Sequence, residues 1–255
     1  MRFHKFGVIA VVGFVVTTSF AGYKIRAAVL PSVNEHIDKA RIKAQLGSYA
    51  EATGYAQAML MDDNITVSVD YGNTPESQKP WCDTAVSGAF AMWEKALGKE
   101  IKFVRVDPKS DPHVRIKFDK DVKLDGSIVS GYINWSRSIE ESKDGIRPIF
   151  SADVFLRTTD PRGTKLSAKA MKHTCGHELG HMFGLDDASK VGVLMGPLDI
   201  NNPVSMPTAD EIETVLAIRE ECKMLARSPL KGQHAQYFGK PCSHHHHGHD
   251  SDHHH

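Results

Sequence analysis

Apolar and polar positions alternate with a period of two in five stretches of the chain, which predicts five β-strands. The first is ITVSVDY at residues 65–71, and the next two are IKFVRV and VRIKF, the latter with Val114, Ile116 and Phe118 on one face. SIVSGYINW and IFSADVFLR predict a fourth and a fifth strand, separated by the polar, turn-rich SRSIEESKDG.

Three stretches with apolar positions at three- and four-residue steps predict helices. The first begins at Asp83 or Thr84 and ends at Gly98; its apolar face comprises Val86, Phe90, Trp93 and Leu97. The second begins at Ser167, and its apolar stripe comprises Ala168, Met171, Cys175, Leu179 and Met182. The third begins at a capping box of Thr208 and Glu211 and runs to about Leu225. This order of strands and helices predicts an α+β domain over residues 64–226.

Residues 1–23 have the pattern of an export signal. Arg2 and Lys5 precede an uncharged run from Gly7 to Tyr23, and Ser19-Phe20-Ala21 has the small residues that signal peptidases require. This run of 17 residues is at the short limit for crossing a bilayer, so it predicts either a signal peptide or an N-terminal signal anchor. We therefore expect an exported protein, secreted or periplasmic, or membrane-associated through this segment at the outer face of the inner or plasma membrane.

Two further segments flank the α+β domain. Residues 24–63 are predicted to be helical, chiefly at 33–61, and fit a stalk, a short pro-segment or a helix packed on the domain. Residues 227–255 are predicted to be a flexible tail, whose stretch SHHHHGHDSDHHH at 243–255 carries eight of the 15 histidines and would chelate metal loosely.

Composition narrows the class of partner. Lys+Arg and Asp+Glu both total 31, so the chain lacks the basic excess that nucleic-acid binding requires, and we expect no nucleic-acid partner. Four cysteines fit an oxidising compartment, and Cys82 and Cys222 lie on predicted helices that a disulfide could join.

The segment HELGH on the second predicted helix has the spacing of a metal site. His177 and His181 are four residues apart, so their imidazoles project from one helix face and can hold one ion together. Glu178 lies beside them, placed to deprotonate a water held by the metal without binding the metal itself. Zinc lowers the pKa of such a water to about 7, which allows it to attack a carbonyl.

Catalytic zinc needs a third protein ligand. Gly184 would let the helix end and the chain reverse through a left-handed conformation, returning Asp187 over the ion. Asp186 is the competing candidate, but the spacing favours Asp187. His173, one turn before His177, is a further candidate ligand, although a solvated histidine or one that contacts a ligand is the commoner case.

The stretches HELGHMFGLDD and VGVLMGP together resemble the metzincin metalloproteases, and within them the matrixin-like branch. The resemblance covers residues 64–226 and implies a twisted mixed sheet of about five strands, with an antiparallel edge strand and three main helices. It identifies Met195 as the methionine of the turn beneath the zinc. It also implies an extended protein or peptide substrate that pairs with an edge strand at about Phe150–Leu156.

Three departures from the family pattern stand out. The third ligand is Asp187 where matrixins have histidine, which resembles small bacterial metzincins that use aspartate. Gly196 follows the turn methionine, where some metzincins have a tyrosine. GSIVSGYINW lacks the ligands of the matrixins' structural zinc, so we expect one catalytic zinc ion.

The sequence thus predicts a zinc-dependent endopeptidase in which Glu178 activates a metal-held water. Two alternative functions also fit the sequence. The chain could be an envelope metal-binding protein that works through its His-rich tail, or a zinc amidase that acts on non-protein amides. An intact Glu178 favours the endopeptidase over metal storage, because storage needs no base beside the metal.

Overall fold

The structure is a computed structural model that describes residues 23–61 and 63–227. Its main sheet has five strands in the order β2-β1-β3-β7-β6. The bounds of these strands are β1 Asn64–Asp70, β2 Lys102–Arg105, β3 Val114–Asp119, β6 Gly131–Ser142 and β7 Gly145–Arg157. A separate two-stranded hairpin joins β4 (Lys123–Leu124) to β5 (Ser127–Ile128). The first four strands of the sheet run parallel and β6 runs antiparallel to β7, which confirms the predicted mixed sheet.

Five helices accompany the sheet: α1 Pro31–Gln45, α2 Tyr49–Leu60, α3 Lys79–Ala96, α4 Ala168–Met182 and α5 Ala209–Arg227. Ser167 caps α4 as predicted, because its side chain accepts a hydrogen bond from the amide of Ala170. The helix α3 begins four residues before the predicted start at Asp83. Pro80 explains the difference, since proline fits the first turn of a helix, where its missing N–H costs nothing.

The helices α3 and α4 pack with the sheet in one apolar core. Val86, Phe90 and Trp93 of α3 are buried, as is Leu97 directly after it, as their spacing predicted. The indole of Trp93 donates a hydrogen bond of 2.9 Å to the carbonyl of Gly176 on α4. This buried bond fixes α3 against the helix that carries the histidine pair.

The predicted loop at residues 136–145 is wrong, because most of it is strand. β6 and β7 form one long hairpin, with twelve register pairs from Gly131↔Leu156 to Ser142↔Gly145. The helix α2 covers this part of the hairpin: a Cβ added to Gly54 would lie 2.6 Å from a methyl carbon of Ile146 and 3.0 Å from one of Ile139. This polar stretch forms strands because cross-strand pairing and the packing of α2 stabilise the hairpin. Its local composition reveals neither of these contacts.

The predicted edge strand at Phe150–Leu156 is also wrong. These residues belong to β7, which lies between β3 and β6 and is paired on both sides. The antiparallel edge strand of the sheet is β6. An apolar run such as that of β7 is typical of a strand that is buried within a sheet rather than at its edge.

The helices α1 and α2 pack against α5 and the hairpin. Together with α5 they form a second apolar cluster, which includes Val33, Ile37, Met59, Ile218 and Cys222. Residues 24–63 were expected to be a stalk, a short pro-segment or a helix packed on the domain, and these contacts agree with the last of the three. The boundary at residue 64 stays a prediction.

His36 on α1 makes the stability of this packing depend on pH. Burial, and then the positive charge of Arg137, lower its pKa from 6.5 to about 4. The unfolded chain therefore binds more protons than the folded protein between these values, so stability is lost as pH falls below about 6.5. We expect wild-type protein to lose about 1 to 2 kcal/mol more than His36→Phe between pH 7 and pH 5, measured by urea unfolding. Phenylalanine keeps a ring against Tyr55, and equal losses in the two proteins would contradict the prediction.

Cys82, Cys175 and Cys222 are buried free thiols, so the suggested disulfide between Cys82 and Cys222 is wrong. The predicted export signal lies outside the described residues except for Tyr23, and the His-rich tail lies outside them except for Arg227. Among residues 23–61 and 63–227, no helix is both long and apolar enough to cross a bilayer.

Candidate active site

The histidine pair projects from the last two turns of α4. Each imidazole is oriented through its Nδ1 atom, which lies 3.0 Å from the carbonyl oxygen of Leu194 for His177 and 2.8 Å from that of Leu185 for His181. A carbonyl oxygen only accepts, so both Nδ1 atoms donate and both Nε2 atoms face the space between the rings. Backbone carbonyls of this kind commonly orient the histidines of metal sites.

The turn after α4 brings Asp187 to the same place. Gly184 has φ +102°, a conformation that side chains rarely adopt, and it lets the chain reverse directly after the helix. Asp187 Oδ1 then lies 3.1 Å from Nε2 of His177 and 3.5 Å from Nε2 of His181. Asp186 is not part of this cluster, and its Oδ1 accepts a hydrogen bond of 2.8 Å from the amide of Asp187.

These three side chains form the one metal-ligand cluster found among the described residues. One ligand atom from each lies within 4.8 Å of the others. Burial lowers the pKa of His177, but its hydrogen bond to Asp187 and the charge of Glu178 outweigh that effect and raise it to about 9. The hydrogen bond to His177 is also the largest cause of the lowered pKa of Asp187. Burial, and then the charge of His177, lower the pKa of His181, so His177 is the imidazole whose protonated form Asp187 stabilises.

Glu178 is buried next to this cluster. Burial raises the pKa of its carboxyl to about 7, against the opposing effect of His177. The start of the edge strand approaches it closely: a Cβ on Gly131 would lie 3.2 Å from Glu178 Oε1 and 2.7 Å from Thr174 Cγ2. Only glycine lets the strand pass this near to the carboxylate.

Met195 lies in a tight turn beneath the histidine helix. The turn is closed by a hydrogen bond of 3.2 Å from the amide of Gly196 to the carbonyl of Val193, and the amide of Ala188 donates to the carbonyl of Met195 at 2.8 Å. The thioether occupies the space left by Gly180, where an added Cβ would be 2.3 Å from the Met195 sulfur. Met195 is buried, so the predicted turn methionine supports α4 from below.

Glu211 holds this turn to α5, a role that sequence analysis missed. One carboxylate oxygen accepts hydrogen bonds from the amide and hydroxyl of Thr208, which is the predicted capping box. The other oxygen accepts a hydrogen bond of 2.8 Å from the amide of Met195. The capping pattern identified the residue, but nothing local to it indicated the second partner.

Gly196 follows the turn methionine, where some metzincins have a tyrosine, and in this structure the position has no room for a side chain. An added Cβ would lie 2.0 Å from the carbonyl oxygen of Lys190. We expect Gly196→Ala to lower the free energy of unfolding by about 2 to 4 kcal/mol, because backbone must move to admit the methyl group. Gly192→Ala in the same turn is the control: it adds backbone strain at φ +86° but no clash, and should cost only about 1 kcal/mol. Equal losses in urea unfolding would contradict the steric explanation.

His173 is buried one turn before His177 and does not belong to the metal-ligand cluster. Its Nδ1 accepts a hydrogen bond of 2.9 Å from the amide of Val204. The neighbouring Lys172 donates to the carbonyl of Ser205 at 2.9 Å. Both contacts fasten the loop that follows the turn of Met195, so His173 orients this loop.

Two cavities meet at the histidine cluster. One, of about 220 Å³, lies between the edge strand and the turn of Met195, and its lining includes Ser130, Thr174, Ala188, Pro197 and Leu198. The other, of about 360 Å³, follows the edge strand and contains His181, Glu178 and Asp187 in its wall. The cluster therefore faces a cleft that continues on both of its sides.

Comparison with known families shows to which family the chain belongs. The model of the peptidase family M10, matrixin, matches residues 59–217, well over half of the chain. The chain belongs to the matrixin family. Matrixins are zinc metalloproteases, so this matrixin is a hydrolase of that class, and its family binds catalytic zinc and acts on peptides. A search of curated proteins finds no match for it.

Proposed function

We propose that this matrixin is a zinc-dependent endopeptidase that holds one catalytic zinc ion through His177, His181 and Asp187. The observation that carries the proposal is the convergence of two Nε2 atoms and one carboxylate oxygen within 4.8 Å. Two imidazoles and a carboxylate form a ligand set that suits zinc, and catalytic zinc commonly has three protein ligands. The oriented Nδ1 atoms support the same assignment, because each donates to a backbone carbonyl and so directs its Nε2 atom to the point where the Asp187 carboxylate lies.

Glu178 would be the general base. Zinc, when bound, makes a water acidic enough to ionise near neutral pH and polarises the peptide carbonyl. The Glu178 carboxylate accepts the proton that the attacking water loses, and then donates it to the nitrogen of the leaving amine. Burial of this side chain supports the role, since a buried carboxyl binds a proton more readily than an exposed one and can therefore return it.

The substrate would bind along β6 rather than along β7. The amide of Arg157 donates to the carbonyl of Ser130 at 2.9 Å, so the backbone groups of Ser130 point towards β7. Successive residues in an antiparallel ladder point alternately to the partner and away from it. Gly131, Ile133 and Trp135 therefore direct their N–H and C=O groups to the free edge, and all three line the larger cavity. An extended peptide can add to this edge as a further strand.

The smaller cavity would take the side chain that follows the cleaved bond. It lies beyond the histidine cluster and is walled by the turn of Met195 and the loop after it. About 220 Å³ is enough for a medium-sized side chain, and the wall contains no lysine or arginine. The export signal in residues 1–23 would deliver the enzyme to an extracytoplasmic location, where its peptide substrates would lie.

A chelation experiment on the full-length protein tests the proposed activity. The eight histidines of residues 243–255 are first replaced by glutamine, so that zinc cannot bind to the tail. We expect unfolded casein and quenched peptides to be cleaved, the activity to disappear with 1,10-phenanthroline, and a single equivalent of zinc to restore it. Cleavage that persists after the metal has been removed would contradict the proposal.

A further inference from the structure

Residues 26–30, the N-terminal strap, run beside the turn that carries Asp187. The amide of Leu30 donates to the carbonyl of Gly184 at 3.0 Å, and the amide of Asp186 donates to the carbonyl of Ala28 at 3.0 Å. Val29 forms an antiparallel bridge with Leu185 between these two bonds. The strap is thus a short strand partner of the turn itself.

The other end of the strap is fastened to α5. The hydroxyl of Thr214, which is fully buried, accepts hydrogen bonds of 2.9 Å from the amides of both Arg26 and Ala27. The same hydroxyl donates to the carbonyl of Asp210, so its oxygen is used as donor and acceptor at once. Arg26 adds an ion pair of 2.7 Å with Glu213 on the surface of α5. One side chain therefore holds two consecutive amides of the strap.

The strap also contributes to the cleft. Leu30 is 8% exposed and lines the larger cavity, which also contains Glu178 and Asp187. The helix α1 follows Leu30 directly, and its Val33 packs close to Gly184. An added Cβ at Gly184 would lie 3.2 Å from Val33 Cγ1. The N-terminal segment therefore touches both the turn and the substrate side of the site.

Asp187 needs such support because its own side chain is poorly packed. The side chain is 60% exposed, whereas those of His177 and His181 are 17% and 13% exposed and are held by the helix. The position of the carboxylate therefore depends on the backbone of residues 184–187. Towards α4, this backbone is held by the amides of Gly184 and Leu185, which donate to the carbonyls of His181 and Gly180. The Leu185 carbonyl contacts His181 as well. On the other side, the hydrogen bonds to the strap hold the same backbone.

We propose that the N-terminal strap is a permanent part of the active site, which positions the turn of Asp187 and so sets the affinity for the metal. This inference rests on the proposed role of Asp187 as a zinc ligand. Thr214 and Leu30 are then positioning residues that act through the strap. A pro-segment would inhibit the enzyme until its removal, whereas the loss of this strap would weaken metal binding.

Thr214→Val tests the strap at its distant end. Valine has nearly the shape of threonine but cannot accept the two amide hydrogen bonds, while Thr214→Ser keeps the hydroxyl and is the matched control. In full-length protein with tail histidines replaced by glutamine, we expect Thr214→Val to raise the zinc dissociation constant about tenfold, measured by competition with a chromogenic chelator. Thr214→Ser should stay within about twofold of wild type. Saturating zinc should restore the peptidase rate of Thr214→Val, as expected for lost affinity.

Leu30→Pro tests the end beside Asp187 without touching α5. Leu30 has φ −53°, which proline adopts, so the substitution removes the N–H that bonds Gly184 without straining the backbone there. Leu30→Ala is the control, because it shortens the side chain and keeps the N–H. We expect only Leu30→Pro to weaken zinc binding, again by about tenfold, and Leu30→Ala to alter peptide selectivity while zinc affinity is unchanged.

Amide hydrogen exchange in metal-free protein gives a readout that does not depend on catalysis. The Asp186 amide donates to the strap, so its exchange should accelerate at least about fivefold in Thr214→Val and Leu30→Pro, but not in their controls. The strap proposal would be overturned if Thr214→Val and Leu30→Pro both had the zinc affinity of the wild-type protein and the same exchange rate of the Asp186 amide. If the wild-type protein binds zinc tightly and cleaves no peptide, the proposed function fails, while the affinity comparison still tests the strap.

Discussion

Replacing Glu178 by glutamine is expected to lower kcat/KM for peptide cleavage by about 10³-fold while zinc stays bound. Glutamine has the same shape but cannot accept the proton of the attacking water, so only the proton transfer is lost. Among residues 23–61 and 63–227, no hydrogen bond to the buried Glu178 carboxyl holds α4 in place, and we therefore expect little change in thermal stability. Peptide cleavage, bound zinc and the unfolding temperature are measured on the same preparation.

The control for this substitution is Glu220→Gln. Glu220 lies on α5 and pairs with Lys223, away from the cleft, so its loss should leave kcat/KM within about twofold of wild type. Equal, chelator-insensitive cleavage by wild type and Glu178→Gln would show that the activity does not come from this site. An envelope metal-binding protein would show no cleavage in either form.

Replacing Asp187 by asparagine is expected to raise the zinc dissociation constant at least about 100-fold, since a ligand should matter more than the groups that orient it. Asparagine keeps the shape of the side chain but loses the charge that attracts the cation to the two Nε2 atoms. Activity should then require a large excess of zinc. Chelator competition measures the affinity, and titration with zinc measures the recovery of cleavage.

Asp186→Asn is the matched control, because Asp186 is the adjacent acid and was the competing candidate ligand. Its Oδ1 accepts a hydrogen bond from the amide of Asp187, and the asparagine carbonyl can accept the same bond. We therefore expect zinc affinity within about threefold of wild type. If Asp186→Asn lowered the zinc affinity as much as Asp187→Asn does, the assignment of the third ligand would be contradicted.

Much of the fold follows from local patterns that the structure confirms. The α+β class and the mixed sheet agree with the matrixin family, and the apolar faces of α3 and α4 are buried as their spacing indicates. Ser167 and the pair Thr208 and Glu211 cap their helices as predicted. The helix faces and caps depend on residues within four positions of each other, so helix geometry and capping chemistry are enough to predict them. The mixed sheet was expected from the resemblance to the metzincins, because strand pairing is not local.

The errors concern strands and long-range partners. The residues 136–145 looked like a loop because their pairing and their cover from α2 lie elsewhere in the chain. The edge of the sheet was assigned to β7 because a pattern within one strand does not reveal how many neighbours it has. This second error matters for function, since it moves the expected substrate-binding edge from β7 to β6.

By itself, the sequence determined the position of the two imidazoles, because four residues along a helix always return to the same face. It also determined that Glu178 is beside them and that a glycine allows the chain to turn back. Only the tertiary structure decided that Asp187 rather than Asp186 lies beside the imidazoles, that Glu211 holds Met195, and that residues 26–30 fasten the turn. Asp187 reaches the imidazoles across only 6 and 10 positions, but through a turn whose path the sequence does not give. The other contacts join segments separated by 16 to about 190 positions, and chain folding rather than local periodicity brings such segments together.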